Sequence, residues 1–262
     1  MSVKKSLLPL ATPLHPQLRG LIIGASSGMG AALARRLGRE GYTLALVARR
    51  KVQLTSLCRE INQKGRETRA LAYVHDVSDY DAVPDLLRRI IADLGGLDLV
   101  IYAAGINLPP GSDENNFDGD RQMLEVNLIG AFAWLNPIAA IFHSAKRGQI
   151  VGISSVAGDR GRVGNPGYNT SKAGLTTYLE ALRNRLTRHG VNVLTVKPGF
   201  VQTDMLKAAQ KVMFPITVEK AADDIWIAIH SRKQQIYTPW FWGWIMFVIR
   251  NIPSVLFRRM SF

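Results

Sequence analysis

Cysteine is almost absent from this 262-residue chain, and the single Cys58 excludes an internal disulfide and any cysteine-rich metal site. Its place in an expected helix makes it a small core residue. Histidine is sparse too. The five (His15, His75, His143, His189 and His230) never fall at metal-ligand spacing, so no metal is expected. Long apolar runs are missing: none reaches the roughly 18 residues that a membrane-spanning helix needs. The short, proline-broken run LLPLATPL after Lys4 and Lys5 reads as a loose arm over residues 1–17, not as a signal peptide. A cytoplasmic protein is therefore expected. Acidic residues are few, 20 against 33 basic, which leaves a formal charge of +13. Such an excess calls for an anionic ligand, an anionic membrane surface or nucleic acid. No zinc-finger or RNA-binding motif accompanies it, so no nucleic-acid partner is expected.

What the chain does have is alternation. Apolar, β-rich runs at 18–23, 42–48, 68–74, 97–103, 149–154, 191–197 and 235–238 are separated by helical patterns near 28–40, 51–64, 79–93, 120–145, 168–189 and 218–232. Strands that are apolar without a period of two belong to a parallel sheet covered on both faces. Regular strand–helix alternation predicts one α/β domain over 18–238, a doubly wound, Rossmann-type sheet of about seven strands. Loop-forming residues cluster at 105–120 and 158–167, at expected strand C-termini, where such folds bind ligands.

The first strand runs into Gly24-Ala-Ser26-Ser27-Gly28-Met29-Gly30 and then a helix. At this junction a glycine-rich turn lets backbone approach a pyrophosphate, while the helix N-terminus offers free N–H groups. The second strand ends in Ala48-Arg49-Arg50, and no Asp or Glu lies between Gly41 and Arg59. An acidic residue here would suit a ribose 2′-hydroxyl. Arg49, with Arg50 helping, suits a 2′-phosphate and hence NADP(H).

Farther along stands Tyr168-Asn-Thr-Ser-Lys172, a phenol and an ammonium one helical turn apart. A lysine so placed would favour the phenolate and pull the tyrosine towards the working range of an acid/base catalyst. By itself the spacing is weak evidence, since any exposed helix can carry such a pair.

With GASSGMG, YNTSK and Ser155 thirteen positions before Tyr168, the chain resembles the short-chain dehydrogenase/reductase family in its compact form of about 250 residues. The resemblance runs from residue 18 to about 238. It includes Asp76, the segment Tyr102-Ala103-Ala104-Gly105, Asn127 in EVNLIG, and Pro198-Gly199 with Val201 and Thr203. It implies an alcohol dehydrogenase/carbonyl reductase in which Tyr168 exchanges a proton with the substrate oxygen and Ser155 hydrogen-bonds that oxygen. Lys172 would bind the nicotinamide ribose, and Asn127 would hold a water on a proton path to solvent. Asp76 and Val77 would touch the adenine. The turn 24–30, Arg49, Arg50, residues 103–105, Tyr168, Lys172, Pro198, Gly199, Val201 and Thr203 would complete the cofactor site. Ser154 points to the other strand face by alternation and is read as structural. Two positions depart from the family pattern: Ile23 replaces the usual threonine before the first glycine, and Tyr102-Ala103 replaces two asparagines that stabilise the central strands.

Beyond Tyr237 comes a tail, TPWFWGWIMFVIRNIPSVLFRRMSF, in which Trp240 to Ile249 are all apolar or glycine and Arg250, Arg258 and Arg259 follow. Three readings of residues 239–262 stand side by side: a segment lying in a membrane interface, at the inner membrane face, a subunit contact, or a wall of an apolar pocket. The charge leans towards the first. A lipophilic carbonyl or alcohol substrate and a homodimer or homotetramer are expected. Met205, Leu206, Met213 and Phe214 are candidates to line the substrate site, while Arg160 and Arg162 are expected to face water. A catalytically idle NADP-binding regulator and an epimerase-type subunit that needs a partner enzyme remain as alternatives.

Overall fold

The computed structural model of the protein describes residues 18–63, 69–108, 116–208 and 212–260. The expected arm 1–17 lies outside them, as do parts of the 105–120 loop and of the 200–217 segment. Seven strands form one parallel sheet: β1 Arg19–Ile23, β2 Thr43–Ala48, β3 Ala70–Val74, β4 Leu99–Tyr102, β5 Gln149–Ile153, β6 Asn192–Pro198 and β7 Gln235–Thr238. Their spatial order is β3-β2-β1-β4-β5-β6-β7. The register sets Ile22 of β1 beside Leu46 of β2 on one side and Ile101 of β4 on the other. The order reverses at β1, so a crevice opens at the C-terminal ends of β1 and β4.

Helices α1 Gly28–Arg39, α2 Lys51–Gln63, α3 Val83–Leu94, α4 Phe117–Leu124, α5 Gly130–Ala145, α6 Pro166–Leu186 and α7 Val218–His230 cover the two faces. Each face carries its own apolar cluster. Leu33, Leu37, Leu46 and Ile225 lie in one, and Val47, Trp134, Phe142 and Leu179 in the other. Burial on both sides explains why the strands read as unbroken apolar runs. At the opposite end of the sheet from the crevice, the nearly buried Arg19 grips Asp98 through Nε at 2.7 Å and Nη2 at 3.1 Å, joining the starts of β1 and β4.

Three helix starts differ from the sequence expectation for local reasons. α3 begins at Val83, not 79, with Pro84 in its first turn and Gly95 closing it in the left-handed region. α6 begins at Pro166, because the Asn165 side chain caps it by accepting from the Tyr168 backbone N–H at 3.2 Å. The helix expected over 120–145 starts at Phe117 and is broken by a π turn, Glu125–Ile129, between α4 and α5. This whole helical stretch is long and apolar enough, by length and composition, to cross a membrane, but half of its apolar window is buried inside the domain.

The Tyr102 departure acquires a structural purpose at that π turn. Its fully buried phenol donates to the Val126 carbonyl at 2.6 Å, tying β4 to the turn that carries Asn127. The tail also folds, as α8 Trp242–Asn251 and α9 Ser254–Phe257. Tyr102→Phe should leave the Val126 carbonyl without its partner and lower stability by about 1–2 kcal/mol. Urea unfolding of the two proteins checks it, and an unchanged midpoint would deny the phenol this role.

Candidate active site

The crevice at the ends of β1 and β4 is a cleft of about 420 Å³. Its walls include Ser26, Ser27, Gly28 and Met29 of the glycine turn, Arg49, Arg50, Val77, residues 103–105 and Thr203. A larger hollow of about 520 Å³ lies elsewhere, among Arg35, Arg39, Glu60 and Arg69, and shares no residue with it. Gly24 sits at a φ of +91°, and a Cβ there would run into the Ala104 backbone. A Cβ on Gly30 would likewise strike the Gly24 carbonyl. Only glycine lets the turn fold this tightly. Ser27 precedes α1 without giving it a side-chain cap, and the first residues of α1, Gly28, Met29 and Gly30, line the cleft. Arg50 instead binds the turn's hydroxyls, donating from Nε to Ser26 Oγ at 3.1 Å and from Nη2 to both serines.

Arg49 pairs with Asp76, Nη1 to Oδ2 at 3.3 Å, at the half-exposed rim. Burial opposes ionisation of Asp76, but hydrogen bonds from the Ser78 N–H and hydroxyl and the Arg49 charge outweigh it, holding the carboxyl below its usual range. Val77, one residue on, lines the cleft. Pro198, Gly199 and Val201 are not among its walls, and neither are Asp76, Ser155, Tyr168 and Lys172, which lie beside it. A Cβ on Gly199 would meet the Trp242 ring, and Val201 is buried in a bridge with Ile216.

Ser155, Tyr168, Lys172 and Asn127 come together from three elements. Lys172, 4% exposed, donates from Nζ to the Ile153 carbonyl at the end of β5 at 3.0 Å. Ser154 Oγ donates to the Lys172 carbonyl at 2.9 Å and meets Thr176 Oγ1 at 2.7 Å, stapling α6 to β5. That staple faces Ser155 the other way, where it opens a short 3₁₀ turn. Asn127, fully buried in the π turn, clasps Ile106 by both backbone groups, Oδ1 accepting at 2.7 Å and Nδ2 donating at 2.9 Å, and donates to Ser171 Oγ at 3.0 Å. A Cβ on Gly105 would lie 3.2 Å from Lys172 Nζ and 3.3 Å from Asn127 Oδ1, so glycine there lets the backbone lie close to both.

The electrostatics correct the simple reading of YNTSK. Burial pushes the Tyr168 phenol above its ordinary value, and the Ser155 hydroxyl and the Arg162 guanidinium work against that rise. Arg162 is thus one cation that favours the phenolate. Lys172 lies 5.8 Å from the Tyr168 ring centre, turned towards Ile153, and burial pulls its ammonium down to about 8. Neither arginine of the 158–167 loop simply faces water. The Arg162 Nε is sealed from solvent with no hydrogen-bond partner among the described residues. Arg160 donates to the carbonyls of Ile249 and Ile252 and sits over the Phe257 ring. Sequence reasoning missed Arg162, His75 and Asn165. The first two carry no spacing signal, but Asn165 before Pro166 is a helix-start pattern that was there to be read.

Known proteins share this fold and much of this sequence. A family model described as short chain dehydrogenase matches residues 20–213. A Myxococcus xanthus protein described as an uncharacterized oxidoreductase is 33% identical over 239 residues, 90% of this chain and 93% of the relative. The NADP-dependent 3-hydroxy acid dehydrogenase of Schizosaccharomyces pombe is 29% identical over 231 residues, 82% of this chain and 88% of that one. Among solved structures, a short-chain dehydrogenase from Sphingobium yanoikuyae in complex with NADPH superposes with a TM-score of 0.76 at 24% identity, covering 90% and 96% of the two chains. A variant of actinorhodin polyketide ketoreductase with NADPH gives 0.76 at 24% identity, covering 84% and 95%.

Removing the Arg162 charge should move the Tyr168 titration to higher pH. The phenol's titration is read from the ultraviolet difference between otherwise identical proteins with Tyr168 and with Tyr168→Phe. That midpoint should rise in the Arg162→Gln background, and an unmoved midpoint would remove Arg162 from the site's electrostatics.

Proposed function

The chain belongs to the short-chain dehydrogenase family, an oxidoreductase fold and chemistry, and on that premise we propose that it interconverts a carbonyl and an alcohol with NADP(H). The carrying observation is the meeting of Ser155, Tyr168 and Lys172 beside the glycine-turn cleft. The cleft's residues suit a dinucleotide. Backbone and uncapped N–H groups at the turn 24–30 would hold its pyrophosphate, and Arg49 with Arg50 its 2′-phosphate. Val77 and Asp76 would border the adenine, and Lys172 the nicotinamide ribose. The NADPH named with two structural relatives, and the NADP dependence named for the yeast relative, support the choice.

The bound nicotinamide supplies or accepts the hydride. Tyr168 gives its phenolic proton to the carbonyl oxygen in reduction and takes it back in oxidation. Ser155, already directed at that phenol, hydrogen-bonds the same oxygen and stabilises its developing negative charge. Arg162 makes the phenolate easier to form, and Lys172 and Asn127, both close to Gly105, would stand on the path by which the phenolate is reprotonated. Phe200, Met205, Met213 and Phe214 give the segment after β6 an apolar character, which supports a lipophilic substrate.

Tyr168→Phe should lower turnover of a carbonyl panel by about 10²–10⁴-fold while NADPH binding, followed by fluorescence, stays near normal. Substantial remaining turnover would remove the proton-transfer role. Tight NADPH binding by the native protein with no turnover on any carbonyl would point to a regulatory or partner-dependent protein. Arg49→Asp should shift the preference from NADPH towards NADH by tenfold or more. An unchanged ratio of the two affinities would remove Arg49 from the 2′-phosphate site.

A further inference from the structure

From Trp242 to Ile249 helix α8 is apolar on every side, a pattern that ordinarily means burial on every side. Its inner face meets that need. Trp242 and Met246 are buried against Val156, with Phe200 and Tyr237 packed alongside. Arg160 fixes its far end through the Ile249 and Ile252 carbonyls. The helix is therefore held, and its outer face is held outward: Trp244 is 68% exposed, Phe247 62% and Val248 62%, with Trp240, just before the helix, at 73%. Val255 and Leu256 of α9 continue the exposed surface. Beside it, Phe214 of the segment after β6 is exposed and touches Phe241, ring centres 5.6 Å apart.

We propose that this outer face of α8 and α9 is a docking surface for an anionic lipid bilayer. Charge decides between the occupants. After Asp224 the chain has no acidic residue, and Arg258 and Arg259 stand exposed at the end of the apolar face. A second copy meeting this face with its own would bring like charges together, whereas anionic headgroups pair with them while the apolar side chains enter the boundary of the acyl region. Tryptophan suits that boundary, with an apolar ring and one polar N–H. At 10 residues α8 is about 15 Å long, half of a bilayer's hydrocarbon core, so it lies in the interface plane. Phe214 and Met213 share the exposed side, so the segment after β6 faces the bilayer too. Delivery of an apolar carbonyl compound from the bilayer to Tyr168 follows only if the reductase reading holds, whereas the docking stands without it.

The test is cosedimentation of the full chain with vesicles of phosphatidylcholine alone or with roughly 30% phosphatidylglycerol, an anionic fraction that gives an appreciable surface potential. The native protein should bind the anionic vesicles, release them as salt rises, and bind phosphatidylcholine at least tenfold more weakly. The double variant Trp244→Ser, Phe247→Ser should lose at least tenfold in vesicle affinity while its circular dichroism and NADPH binding stay native. Should that variant misfold, quenching of the native protein's tryptophan fluorescence by brominated lipid decides the matter: quenching supports docking, and its absence overturns it. Failure of the native protein to bind anionic vesicles also overturns it. So does equal binding by a folded double variant. A variant that turns a native dimer into a monomer with no change on vesicles would assign the face to a second copy. Turnover of a soluble carbonyl, measured in parallel, judges the reductase reading separately.

Discussion

The seam between β5 and α6 holds the rest in place. Ile153 ends its strand with a carbonyl that accepts from Lys172 Nζ, and Ser154 returns a hydrogen bond to the Lys172 backbone. These two contacts set both the height and the rotation of α6, and so decide that Tyr168 comes to lie against Ser155. The seam is buried, so each of its polar groups must be paired, and each pairing admits few alternative geometries. A catalytic pair whose supports were exposed would have no comparable reason to stay in register.

Burial sets the site's electrostatics as much as its shape. The environment that fixes Lys172 also weakens its charge, and the one that fixes Tyr168 disfavours its phenolate. The compensating cation comes from the loop between Ser155 and Tyr168, which is itself tightly anchored. Asp159 there is buried against Lys197 at 2.6 Å and accepts from the Tyr237 phenol at 2.7 Å, while Arg160 grips the tail and Asn165 caps α6. One short loop thus joins the reaction centre to β6, β7 and α8. Through it, the position of the C-terminal helices and the surroundings of Tyr168 belong to one packed unit.

The domain architecture was legible because both faces of a parallel sheet are covered, which writes each strand into the chain as an apolar run. The glycine turn was legible for a related reason: its backbone passes too close to Ala104 and to itself for any side chain, so residue type there is dictated locally. Tyr168, Lys172, Ser155 and Asn127 were singled out only by the resemblance of several ordered motifs to a known family, since the spacing of Tyr168 and Lys172 is by itself weak evidence. Tyr102 looked like a departure because its partner, the Val126 carbonyl, is 24 positions away and carried by backbone rather than by any residue type.

The chain by itself thus determined its α/β class, the strand and helix order and the tight turn at Gly24–Gly30, since each rests on periodicity or steric need within a few residues. Tertiary structure alone decided that Arg162 comes within electrostatic reach of Tyr168, and that α8 buries Trp242 against Gly199 while presenting Trp244. These depend on distances between segments remote in sequence, where electrostatic fields and packing act through space and leave no mark on local pattern.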